Sequence, residues 1–161
     1  MRLKSVYISD YKNLKNFSLS FDGDSFIDIF VGKNGSGKSN LLEALIEIFH
    51  HIIEFDSNRP ELDFNYTISY EINGKATTIK WENEALAIND KSRKIIGKTP
   101  RPDNILIYYS GHNDTVGALV EQYENNFRKR IRQAGFSERI LVCSGAKIFT
   151  HSWNVTLTTL W

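Results

Sequence analysis

Hydrophobic and polar positions alternate in several stretches of the chain, and this alternation predicts β-strands. Near the N-terminus Leu3 to Ser9 read as a strand, and Phe17 to Phe21 alternate strictly. Farther along, Phe64 to Ile72 alternates, Asn73-Gly74 is typical of a two-residue hairpin turn, and Thr77 to Trp81 returns. These segments predict an antiparallel β-layer.

A helical period separates the two groups of strands. It begins at Asn40 and gives one broad apolar face, made of Leu41, Leu42, Leu45, Ile48, Phe49, Ile52 and Ile53. The polar residues Glu43, Glu47, His50 and Glu54 fall on the opposite side, which we interpret as facing solvent, and His51 lies at the boundary. A second helix is predicted from about Val116 to Gln133.

A glycine-rich segment with the pattern G-x-x-x-x-G-K-S precedes the first helix and follows an apolar stretch, Phe26 to Val31, that reads as a strand. Strand, loop and helix in this order are the context of a phosphate-binding loop. Glycines let the backbone approach a phosphate without an intervening β-carbon, and the following helix presents its positive end. The residues predicted to bind a nucleoside triphosphate are Gly32, Lys33, Asn34, Gly35, Ser36, Gly37, Lys38, Ser39 and Asn40.

Two side chains of this loop have specific expected roles. Lys38 would reach the β- and γ-phosphate oxygens, and the Ser39 hydroxyl would bind Mg²⁺. For Lys33, a contribution to the charge of the loop mouth and an ordinary solvated lysine are both open.

Composition narrows the class of protein. The 161 residues are 41% hydrophobic and 24% charged, as in a soluble globular domain. No apolar run is long enough to span a bilayer, and the lone Cys143 predicts a reducing, cytoplasmic compartment. The formal net charge of +1 gives no global attraction to nucleic acid, so such a contact would have to be local.

The N-terminal sequence up to Leu14, with an aromatic-Lys-Asn-Leu turn, and the later run G-K-N-G-S-G-K-S-N-L-L-E-A together resemble a known family. They are similar to the N-terminal lobe of ABC-type ATPases of the RecF and SMC class. More narrowly, they resemble AAA-family ATPases of restriction and phage-defence systems, including overcoming-lysogenisation-defect-like proteins. The resemblance implies an α/β P-loop NTPase fold with an antiparallel β-layer, binding of ATP and Mg²⁺, and action on DNA in repair or antiviral defence.

The same resemblance implies that Lys12 and Asn13 lie near the bound nucleotide, although an ordinary polar turn explains them equally well. The apolar run Ile105 to Tyr109 predicts a strand that opens onto the nucleotide side. His112 and Asn113 follow it and are candidates for a position near the γ-phosphate or the attacking water, or for a plain loop.

Basic residues cluster in the segment from Lys91 to Arg101. This segment contains five cations and no acid. This segment reads as a loop that either neutralises DNA phosphates or is simply solvated.

Two motifs expected of such an ATPase are not recognisable in the sequence. We find no apolar strand ending in Asp-Glu, and Leu141 to Ala146 match an L-S-G-G-type signature poorly. The resemblance covers residues 1–136, leaves 137–161 unassigned, and favours one partial ATPase domain whose signature motif comes from a second lobe or protomer. The alternatives are a nucleotide-binding fragment without hydrolysis and a P-loop GTPase or kinase. The sequence contains no Asn-Lys-x-Asp motif for guanine.

Overall fold

The structure is a computed structural model, and it describes residues 1–21, 29–57, 59–102, 104–108, 117–119, 121, 125 and 146–150. The chain divides into two compact units, Met1–Arg101 and Pro102–Trp161. The first unit contains the glycine-rich loop, the long helix and most of the described strands.

A six-stranded antiparallel sheet forms the body of the first unit. Its strands are β1 (Arg2–Tyr11), β2 (Leu14–Ser20), β3 (Tyr66–Ile72), β4 (Lys75–Glu82), β5 (Ala85–Ile88) and β6 (Lys91–Arg93). They lie in the order β2-β1-β3-β4-β5-β6, and each neighbouring pair is antiparallel. The helix α1 (Lys38–Glu54) lies between β2 and β3 in sequence. The predicted antiparallel β-layer is therefore present.

Two-residue turns connect β3 through β6. The turn residues are Asn73-Gly74, Asn83-Glu84 and Asn89-Asp90, and all six have positive φ, between 49° and 73°. Two consecutive left-handed residues define the type I′ turn, whose twist matches that of the flanking strands. Asparagine stands first in each turn because its short polar side chain tolerates this conformation better than most residues.

The buried face of the sheet follows from the strand register. One row of paired residues runs Val6, Ile68, Ile79, Ile88 across four strands. A second row runs Ile8, Tyr66, Trp81, Leu86. All eight side chains are buried, as expected for large β-branched and aromatic residues directly opposite one another.

Helix α1 packs on this face, and residues on its predicted polar side are buried as well as those on its apolar side. The ring of His51 lies 4.7 Å from that of Trp81 and 5.7 Å from that of Tyr66. Glu43, His51 and Glu54 are buried, so the expectation of one solvated polar side that included both glutamates is wrong. Leu42, Leu45 and Ile53, expected on the buried face, are only half-buried. The helical period does not show this burial, because Glu43 pairs with Lys12 and His51 contacts Tyr66, both from other elements.

The second unit has an antiparallel two-stranded sheet of β7 (Asn104–Tyr108) and β8 (Ala146–Thr150). The strand predicted at Ile105 to Tyr109 thus corresponds to β7, whereas β8 falls in the stretch left unassigned. Residues 117–119, 121 and 125 are helical, within the predicted helix.

The strand expected before the glycine-rich loop is not seen in the part that the structure describes. Residues 26–28 lie outside that part, and Ile29, Phe30 and Val31 have no regular structure there. Ile29 and Val31 are 80% and 88% exposed. The P-loop sheet of the α/β prediction thus remains a prediction. In the described residues, no helix has the length and apolarity needed to cross a membrane.

Candidate functional site

The glycine-rich loop is an exposed turn whose backbone needs glycine at specific positions. Gly35 and Gly37 have φ of 83° and 94°, a left-handed conformation that side chains disfavour. The Ser36 N–H donates to the Lys33 carbonyl at 3.2 Å and closes the turn. At Gly32, an added β-carbon would lie 2.8 Å from the Ser36 Oγ. The three glycines therefore fix the path of the loop.

The loop ends at the N-terminus of α1, where the first backbone N–H groups have no carbonyl partners among the described residues. The first helical bond runs from the Leu41 N–H to the Gly37 carbonyl at 2.8 Å. The N–H groups of Lys38, Ser39 and Asn40 therefore have no intrahelical acceptor. In the part of the chain that the structure describes, no side chain caps this end, and the first turn carries no acid. These are the features of an anion-binding helix terminus.

The Lys38 ammonium lies over the loop. Its Nζ donates to the Gly32 carbonyl at 2.6 Å and to the Lys33 carbonyl at 2.9 Å, and it lies 3.5 Å from the Ser36 Oγ. These contacts hold a positive charge at the centre of the turn, next to the free N–H groups. The arrangement can accept an anion with several oxygens, which is the chemistry of a di- or triphosphate.

Ser39 follows Lys38 in the first turn of α1 and is exposed. A hydroxyl oxygen beside a phosphate-binding loop suits Mg²⁺, a cation that takes few protein oxygens and completes its shell with phosphates and waters. Ser39 therefore fits the role of a Mg²⁺ ligand. Among the described residues, no group of three or more His, Cys, Asp or Glu side chains is placed to hold a metal ion.

The turn between β1 and β2 packs directly on the loop. The Asn13 Nδ2 donates to the Gly35 carbonyl at 3.3 Å, and the Asn13 Oδ1 accepts from the Asn40 Nδ2 at 2.7 Å. Asn13 thereby joins the loop to the first turn of α1. The structure thus brings this predicted residue to the site, while its contact with a nucleotide remains a prediction.

Lys12 reaches the second turn of α1 rather than the loop. Its ammonium forms an ion pair with the Glu43 carboxylate, which is 1% exposed. Lys12 has a φ of 53°, a left-handed conformation that is unusual for lysine and is typical of functional or strongly constrained sites. Burial and the neighbouring Glu43 and Glu47 carboxylates raise the pKa of Tyr11 to about 12, so its phenol remains a proton donor to Glu43.

Glu43 is the residue of this site that the sequence pattern assigned to solvent. The helical period does not reveal its burial, because the cation that pairs with its carboxylate, Lys12, comes from the β1–β2 turn. The remaining predicted loop residues, Lys33 and Asn34, are exposed. His112 and Asn113 lie outside the described residues.

Comparison with known proteins agrees with this geometry. The AAA ATPase domain family matches residues 1–141. The DNA replication and repair protein RecF of Enterococcus faecalis (strain ATCC 700802 / V583) is 28% identical over 122 residues, 76% of this chain and 27% of that protein. RecF of Clostridioides difficile (strain 630) is 40% identical over 45 residues, 28% of this chain and 12% of that protein.

A further relative carries a name that describes its chemistry. The ATP/GTP phosphatase of Helicobacter pylori (strain ATCC 700392 / 26695) is 49% identical over 43 residues, 27% of this chain and 11% of that protein. Across these three relatives, the aligned part of the chain spans only 11–27% of their length. Because the match to this family covers residues 1–141, most of the chain, the chain belongs to the AAA ATPase domain family.

Proposed function

We propose that residues 32–40 bind the phosphates of ATP together with Mg²⁺. The observation that carries this proposal is the Lys38 ammonium, held over a turn of three glycines beside the uncapped N-terminus of α1. A monophosphate would use only part of this cradle. The β- and γ-phosphates would engage both Lys38 and the N–H groups of the first helical turn.

The test compares Lys38→Ala with Lys94→Ala in calorimetric titrations with Mg-ATP. Lys94 is an exposed lysine far along the sequence from the loop. Its replacement removes the same single positive charge as Lys38→Ala without changing the loop. We expect Lys38→Ala to weaken binding by about 100-fold or more, since charge-assisted hydrogen bonds to phosphate are lost. The Lys94→Ala protein should bind like the parent. Equal affinities in both folded variants would contradict the proposal.

We infer further that the chain is the ATP-binding part of an ATPase that works on DNA. The RecF relatives, named for DNA replication and repair, support the DNA side of this inference. A role in phage defence rests only on the resemblance of the loop and the preceding turn to ATPases of such systems.

Turnover is proposed to need a second lobe or protomer. Attack on the γ-phosphate requires a positioned water and charge neutralisation beyond the loop and its lysine. Neither an Asp-Glu strand end nor a recognisable signature motif stands in the sequence. The chain alone should therefore bind ATP, release phosphate negligibly and stay monomeric with Mg-ATP. Phosphate release that Lys38→Ala abolishes, or an ATP-dependent homodimer in sedimentation, would contradict this part.

A further inference from the structure

A cleft of about 440 Å³ opens in the first unit beside β6. Its wall is bonded to Asp56, just beyond the C-terminus of α1 and thus at the opposite end of the helix from the glycine-rich loop. We call this cleft the basic cleft, because its lining includes Lys75, Lys91, Arg93 and Lys98. Among the described residues of the lining, none is acidic, and the nearby Asp56 carboxylate is engaged by the backbone of the wall. Four cations around one opening favour a local positive potential that the net charge of +1 does not reveal.

The strand register explains why these cations converge. Lys91 pairs with Ile88 and Arg93 with Leu86, so both cations stand on the face of the sheet that bears the buried core residues. Lys75 precedes buried Thr77 by two positions on β4 and shares that face. Because side chains at alternate positions of a strand lie on one face, three of the four cations line the same side of the cleft.

The opposite wall is the segment 95–100, which internal bonds hold in place. The Asp56 carboxylate accepts the N–H groups of Ile96 at 2.7 Å and Gly97 at 2.8 Å. The Tyr70 hydroxyl donates to the Pro100 carbonyl at 2.6 Å. Lys98 therefore lies on a loop that hydrogen bonds hold in place. Because this wall is already ordered, binding a ligand there costs less conformational entropy.

The cations of this region divide by role. Arg101 donates to the Ile53 carbonyl at 3.4 Å and helps to anchor the segment to α1. Lys94 is exposed and does not line the cleft. The cleft is therefore lined by only three cations of the basic run, Lys91, Arg93 and Lys98, together with Lys75 from β4.

Thr77 adds a polar group beneath the cleft. Its hydroxyl is buried in the lining and has no hydrogen-bond partner among the described residues. A buried hydroxyl is normally paired, and an ordered water beneath a bound anion would satisfy this one.

We propose that the basic cleft binds the phosphodiester backbone of DNA. Several cations spread over two walls suit a repeating polyanion better than a single ion, and Ile95, 61% exposed, offers an apolar surface to a sugar or base. The proposal rests on the inferred action of this ATPase on DNA. It adds the surface that makes the contact.

The experiment measures fluorescence anisotropy of labelled 20-nucleotide single-stranded and duplex DNA with the full chain, between 50 and 200 mM salt. The cleft variant is Lys91→Gln/Lys98→Gln. The control is Lys80→Gln/Lys94→Gln, which removes the same charge at exposed positions outside the cleft lining. Thermal unfolding verifies that both variants fold.

We expect the parent to lose affinity with a log–log salt slope of about −3 to −4, since about four phosphates are neutralised. The cleft variant should bind at least about tenfold more weakly, with a slope smaller by about 2. The control should stay within about threefold of the parent. Equal loss in both variants, or no DNA binding by the parent, would overturn the proposal.

Two further arms identify the ligand and separate this proposal from the ATP site. A polyglutamate peptide should compete more weakly than DNA at equal charge, and equal competition would overturn the assignment to nucleic acid. The cleft variant should titrate with Mg-ATP like the parent. DNA binding can thus fail while ATP binding stands, and the reverse outcome is equally visible.

Discussion

Gly37 shows at the scale of a single residue how closely the loop fits the β1–β2 turn. A β-carbon built on Gly37 would lie 3.1 Å from both the Asn13 Oδ1 and the Leu14 Cδ2. Leu14 is buried and has little room to move. Gly35 has a similar left-handed φ, yet an added β-carbon there meets nothing within 4 Å.

This contrast predicts different outcomes for two alanine substitutions. Gly35→Ala should destabilise the loop by about 1–2 kcal/mol, the cost of a left-handed alanine. Gly37→Ala should carry the same backbone cost and also displace the Asn13 side chain. We therefore expect Gly37→Ala to reduce Mg-ATP affinity more than Gly35→Ala does. Calorimetric titration of both variants checks the order, and a larger loss in Gly35→Ala would contradict the fit described here.

His51 is a buried histidine whose charge state matters for stability. Burial, and to a smaller extent the positive charges of His50 and Arg59, lower its pKa to about 4. Its Nδ1 lies 2.9 Å from the Tyr66 hydroxyl, and its ring packs between aromatic neighbours. The folded protein therefore keeps this imidazole neutral.

A pH-dependent loss of stability follows. Above pH 6.5 both folded and unfolded states hold a neutral His51. Between pH 6.5 and 4 the unfolded state takes up a proton that the folded state refuses, so stability falls as the pH is lowered. The total loss is up to about 3 kcal/mol.

Denaturant unfolding across this pH range checks the prediction with His51→Phe and, as control, His50→Gln. The His51→Phe protein should lose less stability on acidification than the parent, whatever its stability at neutral pH. His50 is only partly buried, and its replacement should leave most of the pH dependence in place. An unchanged pH slope in His51→Phe would contradict a neutral, buried His51.

At the scale of elements, the Lys12–Glu43 ion pair links the β1–β2 hairpin to helix α1. The Glu43 side chain is 1% exposed and that of Lys12 is 39% exposed. The nearby Lys15–Asp10 pair lies on the same hairpin with both side chains more than 60% exposed. The two pairs differ mainly in how far water screens them.

Double-mutant cycles should separate the two pairs. Lys12→Met with Glu43→Gln should give a coupling free energy of about 1–2 kcal/mol, because one partner is buried while solvent still screens the other. Lys15→Met with Asp10→Asn should give about 0.5 kcal/mol or less. Equal couplings from chemical denaturation would show that burial of Glu43 does not strengthen the pair.

Local patterns account for the elements that could be predicted. The strands β1 to β4 were predicted from local sequence, with clear alternation in β2 and β3, and the Asn73-Gly74 turn follows from its dipeptide. The turns Asn83-Glu84 and Asn89-Asp90 were missed because their second residues are acids rather than glycine, although asparagine leads both. The burial of Glu43 and His51 was unpredictable from helical period, since it depends on Lys12 and Tyr66 from other elements.

The candidate site divides in the same way. The segment from Gly32 to Asn40 is local in sequence, so its glycine-rich pattern can be read directly, and its role as a nucleotide site stays a prediction. Only the family resemblance predicted that Asn13 lies near the loop. The structure shows its hydrogen bonds to Gly35 and Asn40. The basic cleft required the register of β4, β5 and β6 to bring Lys75 beside Lys91, which the basic run alone does not show.

For the molecule as a whole, helix α1 is the element that connects the two proposed sites. Its N-terminus carries Lys38 and Ser39, and Asp56, just beyond its C-terminus, holds the wall of the basic cleft. With 17 residues it is about 25 Å long. The two proposed sites therefore lie apart on one unit, and each can be tested without disturbing the other.

The most direct test of the central claim is to map Mg-ATP onto the full chain by backbone amide NMR. We predict saturable shifts centred on the N–H groups of residues 35–40 and on the side-chain amides of Asn13 and Asn40. Residues 91–100 should change little with nucleotide alone, and Lys38→Ala should abolish the pattern. Shifts centred away from the loop, or none that saturate, would contradict the assignment of this loop as the nucleotide site.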